Sequence, residues 1–378
     1  MSQKGTKRVI QGNEAAMEGA IRAGCRLFAG YPITPATELA EVAAVRMPQV
    51  NGIYMQMEDE IGSINLLVGA SWAGYKVMSA TSGPGFNLMQ EGLSCAFLSQ
   101  SPLVIVNVMR GGPAGGQATF SSQQDVYQTR YGTNGEYEPI VLAPSSTQEC
   151  FDMTVRAFNL AETYLTPVIV LMDEVVGHTR EAVFLPDSVD VVNRRRPPEG
   201  HDYHTFEPIA ENHYVPYRIN LGEGRRIVAE SQLYNITGAR ASGSAPESAK
   251  CVQRLLDKIR KNTDSIVDVF CENVDGAEVV MVGWGSTARV AQHVARIMND
   301  AGRKVGFVKL NTIFPFAENF FARLLQRTAS DVIFAMPEMN SGKLYREVRL
   351  ATGRPVISIP KLGGEMHTPS EIIKAIWG

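Results

Sequence analysis

Residues that build metal centres are scarce in this sequence, and none of them has the spacing of a metal site. The five cysteines are never within four residues of one another, and the six histidines form neither an HxH nor an HxxxH pair. Zinc sites and iron–sulfur clusters depend on such short spacings. The sequence therefore predicts isolated, reduced thiols and argues against a metal or cluster site built by this chain alone. The cysteines are Cys25, Cys95, Cys150, Cys251 and Cys271.

A strong net charge and long apolar segments are also absent. The 378 residues carry a net charge of −3, which implies no polyanionic partner. The basic run Arg194-Arg195-Arg196 stands before Pro197-Pro198 and is interpreted as a solvated linker rather than a nucleic-acid patch. No apolar stretch approaches the roughly 20 residues of a membrane span, and the start of the chain has no apolar signal core. We expect a cytoplasmic protein that is long enough for two domains.

Short β-rich runs alternate with helix-like stretches from residue 1 to about 185. Each run is apolar and bounded by Gly, Pro or polar residues, which is typical of a buried parallel sheet. The alternation predicts an α/β fold. The predicted strands are Gly52–Met55, Val77–Ala80, Leu103–Val108 and Val168–Met172, and the predicted helices are Asn13–Ala23, Glu60–Gly69 and Gln148–Leu160, the last with a capping residue in Ser145–Glu149.

The later part of the chain divides into an extended connector and a second α/β unit. Residues 186–275 lose periodicity, and only Ser248–Asn262 predicts a helix. Residues 276–378 contain the strand Val279–Val282, a Gly-rich turn and the helix Ala288–Ala301, with further strands at Val305–Val308 and Val332–Ala335. The turn, Gly283-Trp284-Gly285-Ser286-Thr287, lacks both the GxGxxG pattern and a P-loop Lys, so it is a weak candidate for a nucleotide site.

Two stretches of the first unit combine polar groups with unusual surroundings. The loop Gly30-Tyr31-Pro32-Ile33-Thr34-Pro35 holds a Thr between prolines, and Glu58-Asp59-Glu60 interrupts an otherwise apolar stretch. A carboxyl group in a protected pocket has a raised pKa and is a candidate for proton transfer. The alternative is that Glu60, at a helix start, only interacts with the helix dipole.

Arg110 and a Gly-rich turn follow two of the predicted strands. Ligands of α/β folds bind at the carboxyl ends of strands, and the planar guanidinium of Arg110 suits a carboxylate. The alternative for Arg110 is a surface ion pair. The turn Ala80-Thr81-Ser82-Gly83-Pro84-Gly85 joins a strand to a helix, and such turns either bind anions or simply require Gly.

These stretches together resemble the alpha subunit of 2-oxoacid:ferredoxin oxidoreductases, which use thiamine diphosphate to make acyl-CoA and reduce ferredoxin. The resemblance spans nearly the whole chain and is strongest to the 2-oxoglutarate branch. It implies a thiamine-diphosphate-binding, pyrimidine-type parallel-sheet domain in residues 1–185, a connector, and a transketolase-C-like domain from residue 276. Further matching stretches are Gln11–Ala15, Val155–Glu162, Met172–His178 and Gly363–His367.

The resemblance also implies roles for individual residues. Glu60 would contact N1′ of the cofactor's aminopyrimidine, since the family's glutamate lies shortly upstream of a Gly-Ala that packs the helix, here Gly69-Ala70. Glu58 is the competing candidate, with an offset two residues too long. Arg110 and Thr34 would bind the carboxylate of the 2-oxoacid. Tyr31 is assigned to the substrate as well, and Pro32, Ser82 and Gly83 to the cofactor.

The same resemblance implies that the active site is shared with partners. Thiamine diphosphate, Mg²⁺ and a [4Fe-4S] cluster are expected on a beta subunit, with a gamma subunit, a ferredoxin-like delta subunit and CoA completing the system. The expected reaction converts 2-oxoglutarate to succinyl-CoA and CO₂, or the reverse. Ala114-Gly115 lacks the hydroxyls of the 2-oxoglutarate branch, so pyruvate-type, branched-chain and aryl acids stay open, as do a non-redox thiamine enzyme and a non-catalytic assembly subunit. A nicotinamide dehydrogenase has no fingerprint here.

Overall fold

Two α/β units and a long connecting segment form the computed structural model, which describes residues 4–378. The elements up to Pro186 are β1 (Gly5–Gln11), α1 (Gly12–Arg22), β2 (Leu27–Gly30), α2 (Thr37–Gln49), β3 (Ile53–Gln56), α3 (Glu60–Trp72), β4 (Val77–Thr81), α4 (Gly83–Leu88), α5 (Gln90–Leu98), β5 (Leu103–Gly111), β6 (Gln117–Ser121), α6 (Val126–Tyr131), β7 (Ile140–Leu142), α7 (Thr147–Tyr164), β8 (Pro167–Asp173), α8 (Glu174–His178) and β9 (Arg180–Pro186). After Pro186 follow a 3₁₀ turn (Ala210–Asn212), α9 (Ala245–Arg260), α10 (Thr263–Ile266), β10 (Val269–Glu272), β11 (Val279–Gly283), α11 (Gly285–Asp300), β12 (Val305–Leu310), β13 (Thr312–Phe314), α12 (Glu318–Leu324), β14 (Ile333–Glu338), α13 (Tyr345–Thr352), β15 (Val356–Pro360) and α14 (Pro369–Trp377).

The first unit is built on a sheet in the order β13-β7-β8-β5-β4-β2-β3, with β6 paired to β5. The strands β7, β8, β5, β4, β2 and β3 are parallel to their neighbours, whereas β6 and β13 run antiparallel. Central strands such as β4 and β8 are buried along their whole length, because helices cover both faces of a parallel sheet. The predicted α/β class and the four predicted strands are confirmed.

Local signals in the sequence located the starts of α1, α3 and α7 to within one residue, whereas α9 and α11 begin three residues earlier than predicted. The side chain of Ser146 accepts a hydrogen bond from the backbone N–H of Glu149, which caps α7 as the sequence predicts. The predicted connector helix is α9, whose Cys251, Leu255 and Ile259 are buried. No helix within residues 4–378 is both long and apolar enough to cross a membrane.

The segment after Pro186 packs more tightly than a solvated linker. Arg194 is buried, and its guanidinium and backbone donate to the carboxylate of Glu162 at 2.7–2.9 Å. Arg218 is also buried, with its guanidinium 4.0 Å from the ring centroid of Trp72. The prediction of a solvated arginine run is therefore wrong for Arg194, because a buried carboxylate on α7 requires a cationic partner. Arg195 and Arg196 are exposed, as predicted.

The second sheet has the order β10-β12-β11-β14-β15, in which only β10 is antiparallel. Because β10 covers Val269–Glu272, this sheet begins inside the segment that the sequence assigns to the connector. The next strands occur where the sequence predicts them. β13 leaves this unit and pairs with β7 of the first sheet, through Thr312↔Leu142 and Phe314↔Val141. The two units are therefore joined by a shared sheet edge as well as by the chain.

Candidate active site

Four neighbouring strands of the first sheet direct the predicted site residues to one edge. β5, β4, β2 and β3 are adjacent in that order and parallel, so their carboxyl ends meet at the same side of the sheet. Arg110 is the second-last residue of β5, Ser82 and Gly83 follow β4, Tyr31–Pro35 follows β2, and Glu60 follows β3. The structure thus brings together residues from four separate stretches of the sequence.

The three acidic residues before α3 have three different environments. Asp59 caps the helix, since its Oδ1 accepts a hydrogen bond from the Gly62 N–H at 2.7 Å. Glu58 is exposed. Glu60 is only 4% exposed, and among the described residues no cation forms an ion pair with it. The helix end is therefore served by Asp59, and the geometry favours Glu60 over Glu58 as the functional carboxyl group.

The environment of Glu60 disfavours its charged form. Burial raises the pKa of Glu60, and the neighbouring charge of Asp59 raises it further. The Glu60 carboxyl group lies against the Gly-rich turn, where a Cβ on Gly85 would stand 2.7 Å from Glu60 Cδ and overlap the Thr81 hydroxyl. Only Gly leaves room there. The Ser82 hydroxyl is buried beside it without a hydrogen-bond partner in the described residues.

Arg110 contacts the predicted substrate loop directly. Its NH1 group donates a hydrogen bond to the backbone carbonyl of Thr34 at 2.6 Å. Arg110 forms no ion pair within residues 4–378, and its Nε is buried without a hydrogen-bond partner. The structure therefore does not support the alternative that Arg110 forms a surface ion pair. A cation with free N–H groups at a loop edge is suited to bind a carboxylate.

The remaining predicted residues surround this edge, and one expectation about packing is wrong. Tyr31 is 43% exposed, and Pro32 and Thr34 are exposed too, so the loop faces outward. Gly69 was expected to pack α3, but it is exposed and a Cβ there would meet nothing within 4 Å. In this chain alone, no close approach at Gly69 explains the glycine.

A second buried carboxyl group lies on the other side of the turn, and sequence reasoning did not find it. Asp125 is 7% exposed, and a Cβ on Gly83 would stand 2.9 Å from its Oδ2. Asn107 Nδ2 donates to the same oxygen at 3.4 Å. Burial raises the pKa of Asp125 to about 6, although the Asn107 hydrogen bond opposes the shift. Asp125 and Glu60 therefore flank one turn, and Asp125 itself lies between β6 and α6.

The Gly-rich turn of the second unit is filled by a protein side chain. Asp173 is fully buried and accepts a hydrogen bond from the Ser286 N–H at 2.8 Å. A Cβ on Gly285 would stand 2.5 Å from Asp173 Oδ2. The Ser286 N–H at the start of α11 is thus used by a carboxylate of the first unit, and this turn packs the two units together. Within residues 4–378, no group of three His, Cys, Asp or Glu side chains is placed to hold a metal ion.

Comparisons with known proteins agree with this arrangement. Residues 18–232 match the family model "Pyruvate flavodoxin/ferredoxin oxidoreductase, thiamine diP-bdg", and residues 277–372 match "Pyruvate:ferredoxin oxidoreductase core domain II". The 2-oxoglutarate synthase subunit KorA of Methanocaldococcus jannaschii is 45% identical, over 98% of this chain and 99% of the relative. The ketoisovalerate oxidoreductase subunit VorB of Methanothermobacter thermautotrophicus is 32% identical, over 98% of this chain and 97% of the relative.

A solved structure extends the likeness to three dimensions. The 2-oxoglutarate:ferredoxin oxidoreductase from Magnetococcus marinus, with 2-oxoglutarate, coenzyme A and succinyl-CoA bound, superposes with a TM-score of 0.92. It is 31% identical, and the match covers 98% of this chain and 64% of that chain. The family models, the identities and the fold agree, and the chain belongs to the thiamine-diphosphate-binding 2-oxoacid:ferredoxin oxidoreductase family, as a subunit of the alpha type.

Proposed function

We propose that this chain is the alpha subunit of a 2-oxoglutarate:ferredoxin oxidoreductase. The complex converts 2-oxoglutarate and CoA to succinyl-CoA and CO₂ with reduction of ferredoxin, or runs the reverse reaction. One observation carries the assignment of the site: the buried Glu60 and the Arg110–Thr34 contact lie at the same edge of one parallel sheet. The similarity to 2-oxoglutarate synthase subunits over nearly the full length supports the choice of substrate.

The surroundings of Glu60 fit an aminopyrimidine. Thiamine diphosphate supplies a carbon nucleophile that attacks the 2-oxo group and stores the electrons left after CO₂ departs. Glu60 is buried, has no cationic partner within residues 4–378 and has a raised pKa, so its carboxyl group is suited to share a proton with a ring nitrogen. Gly85 and Ser82 leave space and an unpartnered hydroxyl beside it. Glu60 would hold the ring and exchange the proton that activation of the cofactor requires.

Arg110 and Thr34 would bind the substrate carboxylate. The guanidinium of Arg110 already donates one N–H to the Thr34 carbonyl, which fixes its position, and its other N–H groups are free for a bidentate contact. Such a contact orients the 2-oxo carbon toward the cofactor and contributes about 1.5–3 kcal/mol as a charge-assisted hydrogen bond. Tyr31 and Pro32, on the same exposed loop, would line the entrance.

The open side of the site is an apolar surface that suits a partner subunit. β3 is an edge strand of the first sheet, and Ile53, Met55, Ile61 and Tyr31 beside it are each about 40–50% exposed. Unpaired strand edges and exposed apolar groups of this kind mark protein interfaces. We place the beta subunit here, with Mg²⁺, the diphosphate site and the [4Fe-4S] cluster on it, and gamma and delta subunits elsewhere in the complex.

The proposal is tested on the chain purified together with its partner subunits. CoA-dependent reduction of a viologen dye is measured with 2-oxoglutarate, pyruvate, 2-oxoisovalerate and an aryl 2-oxoacid in parallel. We expect turnover with 2-oxoglutarate to exceed that with the other acids. Turnover with none of them, in a complex that contains thiamine diphosphate and clusters, would refute the substrate class.

A branched-chain 2-oxoacid is the second candidate substrate. The relatives of the ketoisovalerate type match this chain at 32% identity over nearly its full length, and Ala114-Gly115 at the tip of the β5–β6 hairpin lacks hydroxyl groups. The same assay separates the two candidates, because a ketoisovalerate enzyme would turn over 2-oxoisovalerate faster than 2-oxoglutarate.

The variant Glu60→Gln distinguishes a catalytic subunit from a non-catalytic assembly subunit. This change keeps the size of the side chain and removes its ability to ionise. A catalytic Glu60 predicts an intact complex with turnover reduced about 100-fold or more, whereas an assembly subunit predicts unchanged turnover. The exposed Glu58, changed to Gln in the same way, is the matched control.

A further inference from the structure

A histidine between two carboxylates lies directly behind the substrate loop. His178, at the end of α8, has its Nδ1 2.9 Å from Glu174 Oε1 and its Nε2 3.4 Å from Glu38 Oε1. Glu174 belongs to the same helix, whereas Glu38 lies in the first turn of α2, four residues after Thr34. The imidazole therefore connects α8 to the element that begins immediately after the loop.

A short chain of hydrogen bonds continues from Glu38 to the predicted substrate contact. Asn13 Nδ2 donates both to Glu38 Oε2 and to the Pro35 carbonyl, each at 2.8 Å. Pro35 follows Thr34, whose carbonyl accepts the hydrogen bond from Arg110. Asn13 itself is fully buried, and a Cβ on Gly177 would stand 2.9 Å from Asn13 Oδ1, so α8 packs tightly against it.

We propose that His178 is a positioning residue for the 2-oxoacid site. Its imidazolium attracts Glu38 and Glu174 at once and so holds the start of α2, and with it Pro35 and Thr34, in the position that Arg110 requires. The proposal rests on the proposed function in one respect, which is that Thr34 and Arg110 bind the substrate carboxylate. No contact between His178 and the substrate is invoked.

The charge of His178 is the feature that the arrangement stabilises. The hydrogen bond to Glu174 raises the pKa of His178, burial partly opposes the shift, and the charges of Glu38 and Glu174 and the Pro35 carbonyl raise it further. Below the raised pKa the ring is an imidazolium, which attracts both carboxylates. As the pH rises through the elevated pKa, the ring becomes neutral. It then keeps at most one N–H and loses its attraction for Glu38, so the loop is held less firmly.

Other charged groups around α8 have partners of their own. β6 has no ionisable side chain, and the charged groups on the remaining packed elements are engaged elsewhere, except for the exposed His293 and Asp300 of α11, which have no partner within residues 4–378. Glu14 of α1 pairs with Arg180, Glu149 of α7 with Lys309, Asp173 of β8 with the backbone of Ser286, Arg110 of β5 with the Thr34 carbonyl, and Arg289 of α11 with Glu181. The charge balance at His178 is therefore set by Glu38 and Glu174.

The test compares His178→Gln with wild type in the complete complex between pH 6 and 9. For His178→Gln we expect KM for 2-oxoglutarate to rise about 3- to 30-fold at pH 7, with kcat and KM for CoA within about twofold. We expect the wild-type KM to rise toward alkaline pH and the variant KM to stay flat over the same range. The exposed His293, changed to Gln, is the matched control and should leave both parameters unchanged.

Two further measurements keep the proposal open to refutation. Glu38→Gln should reproduce the rise in KM, and the double variant should add little to either single change, because both remove the same interaction. Hydrogen exchange of residues 31–38 in the complex should be faster in His178→Gln than in wild type, and this result does not depend on which 2-oxoacid is turned over. An unchanged KM with unchanged exchange, or a wild-type KM that is flat with pH, would overturn the proposal.

Discussion

A methyl group on Gly85 is expected to displace the Glu60 carboxylate while leaving the fold intact. In Gly85→Ala the new Cβ would stand 2.7 Å from Glu60 Cδ, whereas ordinary van der Waals contact begins at 3.4 Å. The carboxylate must therefore move by about 1 Å, and a misplacement of that size at a reacting group costs about 100-fold in rate.

The stability of the chain should respond much less than its activity. One obstacle is the end of the Glu60 side chain, which is flexible, and the other is the hydroxyl of the short, buried Thr81 side chain, which must shift as well and adds an overpacking cost of about 1–3 kcal/mol. Gly85 is also inside α4, where Ala is favoured over Gly by about 1 kcal/mol. These two effects oppose each other, so we expect the free energy of unfolding to fall by no more than about 2 kcal/mol.

Three measurements on the purified complex check this reasoning. They are viologen reduction with 2-oxoglutarate, titration of the cofactor-depleted complex with thiamine diphosphate by tryptophan fluorescence, and the thermal midpoint. Gly243→Ala is the control, since a Cβ there meets nothing within 4 Å. Turnover within twofold of wild type, with unchanged cofactor affinity, would show that catalysis does not require the Glu60 carboxyl group in its position against Gly85.

Three other changes test the site and the packing that supports it. Arg110→Ala should lower kcat/KM for the 2-oxoacid about 10- to 150-fold through loss of a charge-assisted hydrogen bond, and kcat/KM of Arg110→Lys should lie between those of wild type and Arg110→Ala. A kcat/KM of Arg110→Ala equal to that of wild type in steady-state assays would disprove the carboxylate contact. Arg194→Ala should lower the free energy of unfolding in urea by about 3–5 kcal/mol because it leaves Glu162 buried and unpaired, whereas Arg196→Ala at the exposed end of the run should cost under about 1 kcal/mol. Asp125→Asn should stabilise the chain at pH 8 by up to about 3 kcal/mol, because the folded pKa of Asp125, about 6, exceeds the usual 3.8 and the ionised carboxylate destabilises the fold above pH 6. This gain in stability should shrink as the pH falls from 6 to 4. A gain that stays constant with pH in urea unfolding would contradict the prediction.

The sequence predicted those parts of the fold that strong local patterns specify. β5 and β8 are mostly apolar runs, and the start of α7 has a serine cap. β2 was missed because Leu27–Gly30 is only four residues long and ends in Ala and Gly, which have low β-propensity. The place of β10 in the second sheet was missed too, because an antiparallel edge strand is specified by its pairing with β12 rather than by its own residues.

The candidate site divides in the same way. Arg110 lies at the carboxyl end of β5, where the rule for ligand sites in α/β folds pointed to it from the sequence. Glu60 was singled out as a carboxyl group in an apolar stretch and Thr34 as a residue between prolines, and the resemblance to the family supplied their roles. Asp125 follows β6, and its loop is held by contacts made over more than 200 residues, such as the hydrogen bond from Gln123 N–H to the Met339 carbonyl at 2.9 Å. His178 reaches the substrate loop through Asn13 and Glu38 by a comparable route. Long-range packing of this kind leaves no local pattern in the sequence.

The pairing of β13 with β7 determines how this protein can be divided. β13 comes from the C-terminal unit, yet it forms one border strand of the first sheet, opposite β3 at the other border. β13 has only three residues and is followed by Pro315, so it offers a further strand little backbone to pair with at that border. A truncated chain that ends at the connector would uncover β7 and lose this protection. Gene fusion or fission in this family is therefore expected to preserve the two units as one piece and to act outside them.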